Sequence, residues 1–191
     1  MNGTDDLVDA LSPVVAAFRT LGIRHFVGGS IASSFHGATR ATMDVDVVCE
    51  LTDDKISSFI ELFDCDFYIS EPAVRDAVGQ KSCFNLIHMP TSFKIDIFVS
   101  RGRPFDTESM QRASSQILGD DRTVEVPIAS AEDSIISKLE WYQLTNETSE
   151  RQWDDVSRLI KLLGDTADVG YLKHAAESIG VAELLTKLLK Q

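Results

Sequence analysis

Three aspartates interrupt segments that are otherwise apolar, which is an unfavourable place for a carboxylate. Asp44 and Asp46 alternate with valines, and Asp96 lies between two isoleucines in the apolar run 93–99. Runs of β-branched residues of this kind are typical of buried strands. In a strand, Asp44 and Asp46 point to the same face about 6.6 Å apart. There they repel each other and lose hydration unless hydrogen bonds or cations neutralise them.

A divalent cation is the partner that this pattern favours. Mg²⁺ binds carboxylate oxygens and usually keeps several waters or phosphate oxygens. If the strands that carry Asp44, Asp46 and Asp96 pair, the three carboxylates converge on one or two ions. Two ions about 3.5–4 Å apart can bind both the attacking and the leaving oxygen of a displacement. We therefore predict Mg²⁺ as the cofactor, with Mn²⁺ as a second candidate.

A glycine turn precedes these aspartates. Gly28, Gly29 and Ser30 lie between the apolar run 23–27 and a helix predicted over 31–36. Glycine permits positive φ and a close approach of the backbone to a ligand. The open N–H groups and the dipole at a helix start favour phosphate, to which Ser30 adds a hydroxyl donor. Two glycines alone are equally typical of an ordinary tight turn, so the phosphate-binding interpretation depends on the aspartates that follow.

Length and composition set further bounds. A chain of 191 residues fits one domain, or one domain with a small helical appendage. The net charge of −12 argues against a general nucleic-acid binder, although it leaves room for a local basic patch. Cys49, Cys65 and Cys83 are widely spaced in apolar contexts, which predicts reduced core thiols without a disulfide or a zinc site. The acidic start is unlike a signal peptide and no apolar run approaches the ~20 residues of a membrane span, so we expect a cytoplasmic protein without a membrane partner.

Hydrophobic periodicity predicts the elements that must position these residues. Helices are expected over 5–21, 31–36, 52–63 and 72–78, and strands over 23–27, 44–49, 67–69, 82–89, 92–100 and 124–128. The polar segment 101–111 contains a glycine and a proline and is predicted to be a loop beside the site. From Ser130 onward, a helix-start signal and apolar periodicity predict only helices. We therefore expect an α/β domain over 1–128 with an N-terminal helix, and a helical region over 129–191 packed on it.

The combined motifs resemble those of a known superfamily. The string comprises Gly28-Gly29-Ser30-x-Ala32, Gly37, Arg40, Thr42, Asp44 and Asp46, with Asp96 on a later strand. It resembles the signature of the DNA polymerase β-type nucleotidyltransferases, and in particular of their small bacterial members. These are the minimal nucleotidyltransferases and the toxin subunits of abortive-infection toxin–antitoxin systems. The segment 129–133 with Lys138, and later Arg151 with 154–155, resembles the helical part of the same proteins.

The resemblance implies a fold, an activity and a set of site residues. The fold is α+β, a mixed sheet flanked by helices with a C-terminal helical bundle. The activity is transfer of a nucleoside monophosphate from a nucleoside triphosphate such as ATP to an acceptor hydroxyl, with release of pyrophosphate. The acceptor is a small molecule, a protein side chain or an RNA end, and a cognate antitoxin is a candidate partner. The catalytic and metal-binding residues are Asp44, Asp46 and Asp96; the nucleotide-binding residues are Gly28, Gly29, Ser30, Arg40 and Lys138.

Three other interpretations remain open. Asp-x-Asp also occurs in sugar-nucleotide glycosyltransferases, although the Gly-Gly-Ser spacing and the short chain argue against that class. A module of the same fold that binds nucleotide without catalysis is a second alternative, and an antitoxin or scaffold is a third. At the level of single residues, the competing roles are ordinary surface positions for the aspartates, Arg40, Lys138 and Arg151, and core or interface positions for Trp141 and Trp153.

Overall fold

The computed structural model describes residues 3–38 and 44–190. The first part of the chain contains α1 (Gly3–Thr20), β1 (His25–Val27), α2 (Gly29–Phe35), β2 (Asp44–Cys49), a 3₁₀ turn (Asp53–Lys55), α3 (Ile56–Glu61), β3 (Phe67–Ile69), α4 (Glu71–Gln80), β4 (Cys83–His88), β5 (Phe93–Val99), α5 (Pro104–Arg112), β6 (Ser114–Leu118) and β7 (Val124–Ile128). The second part contains α6 (Ala131–Leu144), α7 (Glu150–Leu163), a 3₁₀ turn (Gly164–Thr166), α8 (Val169–Ile179) and α9 (Ala182–Leu188).

The strands form one mixed sheet in the order β3-β4-β5-β2-β1-β7-β6, with β2 at its centre. The pairs β2–β5 and β1–β7 are parallel, and the other neighbours are antiparallel. Helices flank the sheet, and helices alone follow β7. The predicted α+β fold class, a mixed sheet with flanking helices and a C-terminal helical bundle, is confirmed.

The central strands follow the alternation that their sequences predict. On β2, Val45, Val47 and Cys49 are buried, whereas Asp44 and Asp46 are half-buried on the opposite face. The buried face packs against α1, so that one face of the sheet is core and the other is free to carry polar groups. Asp44 and Asp46 therefore share a face, as their spacing predicts.

Two clusters of buried side chains fill the interior. The first joins α1, the strands, α3 and α4, and the second joins α6 to α9. Phe105 of α5 belongs to the second cluster, so α5 packs on the helical part although it precedes β7 in the chain. The division of the chain at residue 128 itself stays a prediction.

The segment after β5 is not the loop that its glycine and proline predict. Pro104 is the first residue of α5, where its fixed φ suits a helix start and its missing N–H is not needed. The Asp106 carboxylate accepts a hydrogen bond from the Arg103 N–H at 3.1 Å and so caps the helix. Burial of Phe105 and Met110 then stabilises α5. The prediction was wrong because the proline marks the beginning of a helix rather than a break in one.

Two smaller expectations also fail. The edge strand β6 is missing from the predicted elements because its side chains are mostly polar and exposed. Of the three cysteines, only Cys49 is buried, and Cys65 and Cys83 are exposed, so they are not core thiols. None of the described helices is both long and apolar enough to cross a membrane.

Candidate functional site

The three aspartates lie on neighbouring strands and on the same side of the sheet. In the parallel pair β2–β5, Asp46 stands directly opposite Asp96, and Asp44 stands opposite Lys94. On the next strand, Asn85 of β4 is the partner of Asp96. The strand pairing that the sequence analysis required is therefore present, and it places Asp46 and Asp96 side by side.

The glycine turn lies directly against Asp46. The Gly28 N–H donates to the Asp46 carbonyl oxygen at 2.9 Å, and Gly29 begins α2 with φ of +54°. A Cβ atom on Gly29 would overlap Asp46 Oδ2 and stand 2.5 Å from Asp46 Cγ, so only glycine fits between the turn and the carboxylate. Gly28 is different, because a Cβ there would meet only the Phe26 ring at 3.8 Å.

The environment of the site changes the pKa of Asp46. Burial first, and then the neighbouring carboxylates of Asp44 and Asp96, raise its pKa to about 6, against the opposing effect of Lys138 and Lys94. This shift agrees with the sequence-based argument that carboxylates on this strand repel each other and lose hydration.

Asp96 is partly neutralised by side chains of the same sheet. Lys94 Nζ lies 2.7 Å from Asp96 Oδ2, and Asn85 Nδ2 donates to Asp96 Oδ1 at 2.9 Å. The hydrogen bond to Asp96 raises the pKa of Lys94. Sequence analysis missed Lys94 and Asn85, although the alternation of β4 and β5 places both on the polar face.

Lys138 is buried rather than solvated. Its side chain is only 6% exposed and its Nζ lies 2.8 Å from Asp155 Oδ2 of α7. Its charge reaches far enough to lower the pKa of Asp46. The interpretation of Lys138 as a solvated helix residue is therefore wrong. Arg40, the other predicted cationic ligand, lies outside the described residues.

A pocket of about 610 Å³ opens between the polar face of the sheet and the helices α5, α6 and α7. This volume is in the range of small-molecule sites. Gly28, Gly29, Ser30, Asp44, Asp46 and Lys138 all line it. Arg151 lines it as well, on the first turn of α7.

Two further residues line the pocket that the sequence did not predict as site residues. Arg103 pairs with Asp106 at 2.8 Å and with Glu140 of α6 at 2.5 Å, which joins α5 to the helical part. Trp141 is 45% exposed at the pocket and is not a core residue. Trp153 instead packs on the Tyr142 ring at 5.2 Å. Nothing in the local sequence separates these two tryptophans, because the tertiary packing of α6 and α7 decides which one faces the pocket.

The carboxylates of the site can be compared with the ligands that a divalent ion requires. Within 3–38 and 44–190, no group of three His, Cys, Asp or Glu side chains is placed so as to hold a metal ion. The oxygens of Asp96 already form an ion pair with Lys94 and a hydrogen bond with Asn85, so the three-carboxylate cluster is not preformed. Asp44 and Asp46 both face the pocket. Two carboxylates fit Mg²⁺, which is usually bound by one or two carboxylates together with substrate phosphates.

The fold itself is similar to that of solved nucleotidyltransferases. No family model and no curated protein matches the sequence. An antigenic nucleotidyltransferase-like protein from Paracoccidioides brasiliensis is 20% identical with a TM-score of 0.54, and 98% of this chain and 93% of that chain are covered. The solution structure of the antibiotic-resistance factor ANT(2'')-Ia gives 13% identity and a TM-score of 0.55 over 98% of this chain and 100% of that chain. The crystal structure of ANT(2'')-Ia in complex with adenylyl-2''-tobramycin gives 13% identity and a TM-score of 0.52 over 90% of this chain and 97% of that chain. At these identities the similarity shows a nucleotidyltransferase fold.

Proposed function

We propose that this chain is a metal-dependent nucleotidyltransferase, which moves a nucleoside monophosphate from a nucleoside triphosphate to an acceptor hydroxyl and releases pyrophosphate. The observation that carries the proposal is the contact between the glycine turn and Asp46. The contact sets a carboxylate of perturbed pKa, with Asp44 beside it, against the backbone of Gly29 in a pocket on a nucleotidyltransferase fold. Perturbed carboxylates in a pocket are typical of functional sites.

Each predicted residue has a role in this proposal. Asp44 and Asp46 hold Mg²⁺, which supplies charge neutralisation at the phosphate oxygens when it is bound. Gly29 and Ser30 bind the β- and γ-phosphates at the start of α2, where the helix dipole favours negative charge and Ser30 adds a hydroxyl donor. Gly28 contributes less, since its N–H already donates to Asp46 within the sheet. The chain acts by positioning and charge neutralisation, as expected for phosphoryl transfer.

Asp96 and Lys138 complete the arrangement. Asp96 adjoins Asp46 and takes the proton of the attacking hydroxyl or contributes to a second ion, with Lys94 and Asn85 fixing its orientation. Lys138 places a buried positive charge beside Asp46 and the leaving pyrophosphate, with Asp155 holding its ammonium group in place. Arg40 is proposed as a nucleotide ligand on the resemblance alone.

The acceptor is best sought first among small molecules. ANT(2'')-Ia, of similar fold, was solved with adenylyl-2''-tobramycin, which makes ATP the first donor to test. The net charge of −12 favours a neutral or cationic small molecule or a protein over RNA. A toxin role with a cognate antitoxin and a cytoplasmic location remain proposals from the resemblance in sequence.

One observation favours a second candidate function, nucleotide binding without transfer. Asp96 is held by Lys94 and Asn85, and the described residues contain no preformed three-ligand metal cluster. A chain in which Asp96 stays paired with Lys94 would bind Mg²⁺ and triphosphate through Asp44 and Asp46 but would not transfer the nucleotide.

Transfer of label from α-labelled triphosphates to candidate acceptors, measured with Mg²⁺, separates the two functions. We expect label on an acceptor with wild type and with Asp54→Asn, an exposed carboxylate control outside the pocket. We expect no label with Asp46→Asn. Mg²⁺-dependent binding of triphosphate without any transfer would favour the non-catalytic function. Equal transfer by Asp46→Asn would refute the proposed site.

A further inference from the structure

The pocket has an apolar end whose side chains take no part in the transfer chemistry. We infer that it is the base seat, the part of the pocket that binds the nucleotide base, with Trp141 stacking on the base and Gln152 accepting a hydrogen bond from its edge, and that this seat binds purines more tightly than pyrimidines. The inference rests on the proposed function and names the ligand that the same pocket selects.

The floor of the seat is a row of side chains beside the carboxylates. Phe26, Val48, Phe98 and Cys83 are register partners across β1, β2, β5 and β4, and all four line the pocket. This row lies two residues along β2 from Asp46, which is about 6.6 Å. A ligand whose phosphates lie at Asp46 therefore extends its next part over an apolar surface.

Trp141 provides the wall above this floor. Its ring centroid lies 5.9 Å from that of Phe98 at an interplanar angle of 69°, so the two rings meet edge to face. In that geometry Phe98 leaves at least one face of the indole uncovered. The side chain is 45% exposed, and stacking of a base on an exposed aromatic ring is favourable and tolerant of base identity.

Gln152 adds a polar contact for the edge of the base. Its Oε1 atom is buried without a hydrogen-bond partner among the described residues, and the side chain lines the pocket. The helices α6 and α7 are adjacent, and Lys138 of α6 pairs with Asp155 of α7. In an antiparallel helix pair, Trp141 lies three residues after Lys138 and Gln152 lies three residues before Asp155, so the two are at the same level. A buried acceptor without a donor is unfavourable, and a ligand that supplies the donor removes that penalty.

The chemistry of the amide fits the edge of any base. A glutamine side chain offers one acceptor and an NH₂ donor side by side, and each of the four bases presents a donor beside an acceptor. Size is what separates the bases at this site. The purines cover more of the Trp141 face than the pyrimidines do, so we infer that ATP and GTP bind more tightly than CTP and UTP.

Nucleotide titrations with tryptophan fluorescence test this inference. In a Trp153→Phe background the signal comes from Trp141 alone, and we expect quenching by Mg²⁺·ATP but not by tripolyphosphate, which has no base. Because these variants lack the Trp141 reporter, their binding is measured by isothermal titration calorimetry. Trp141→Leu should weaken ATP binding about tenfold, and Trp141→Phe should retain most of it. Leu162→Ala, an exposed apolar position outside the pocket, is the control and should bind as wild type does.

Gln152→Leu tests the edge contact separately. We expect it to weaken binding of ATP but not of tripolyphosphate, without lowering stability, because it removes a buried acceptor that has no partner among the described residues. Equal binding of ATP by wild type and Trp141→Leu, with transfer intact, would overturn the base seat and leave the proposed function standing. Failure of wild type to bind any triphosphate, tripolyphosphate included, would overturn both.

Discussion

Gly29 is the position where a single methyl group should damage the site most. In Gly29→Ala the new Cβ overlaps Asp46 Oδ2 and lies 2.5 Å from Cγ, whereas ordinary contact begins at 3.4 Å. The carboxylate carbon must therefore move by about 0.9 Å. A displacement of about 1 Å at a reacting centre can lower the rate about 100-fold, so we expect a loss of that size in nucleotide transfer.

The same substitution also destabilises the fold. An alanine at φ of +54° costs about 1–2 kcal/mol, and forcing Asp46 away from its rotamer adds about 0.5–1.5 kcal/mol. We expect a decrease of about 1.5–3.5 kcal/mol in the free energy of unfolding, measured by urea denaturation.

Two other glycines separate these contributions. Gly22 has φ of +59° and nothing within 4 Å of a built Cβ, so Gly22→Ala measures the backbone term alone. Gly28→Ala has neither positive φ nor a close contact and should affect stability and transfer little. If Gly29→Ala lost no more stability than Gly22→Ala and kept full transfer activity, the packing of Asp46 against the turn would be refuted.

Three further predictions follow from the charges of the site. Burial and the neighbouring carboxylates raise the pKa of Asp46 to about 6 from 3.8, so this group takes up a proton on folding and its contribution to stability is lost as pH rises from about 4 to 6. At pH 7.5 the free energy of unfolding of Asp46→Asn, measured by urea denaturation, should therefore exceed that of wild type by about 1–3 kcal/mol, although the variant loses transfer. A less stable variant would contradict this. Lys138→Met should cost about 3–5 kcal/mol in urea denaturation because it removes one partner of a buried ion pair, and Lys138→Met with Asp155→Leu should cost less; additive losses would contradict the pairing. Mg²⁺ at about 100 times its Kd should stabilise wild type by about 2.7 kcal/mol in thermal unfolding, reversibly with EDTA, and should not stabilise Asp44→Asn/Asp46→Asn; equal stabilisation of the variant would place the ion elsewhere.

The elements nearest the site were the ones that the sequence predicted best. Alternation of valines and aspartates sets the faces of β2 by local geometry alone. The hairpin of β4 and β5 follows from two strand patterns around a short turn. Ser130 caps α6 by accepting a hydrogen bond from the Asp133 N–H at 3.0 Å, as its motif predicts.

What the sequence could not predict depends on contacts between distant segments. Lys138 is buried because Asp155, 17 residues later, supplies its counter-charge. Trp141 and Gln152 face the pocket because α6 and α7 pack side by side over the sheet, and no local pattern reveals that arrangement. Strand alternation alone places Lys94 on the same face as Asp96, two residues away, so this ion pair was predictable from the sequence.

Diffraction from crystals soaked with Mn²⁺ and a non-hydrolysable ATP analogue tests the central claim most directly. Mn²⁺ scatters anomalously and can replace Mg²⁺ at oxygen ligands. We predict an anomalous peak about 2.1 Å from carboxylate oxygens of Asp44 and Asp46, with the phosphates against Gly29 and Ser30. Bound analogue with no ion at these two carboxylates, or with its phosphates away from the glycine turn, would contradict the account.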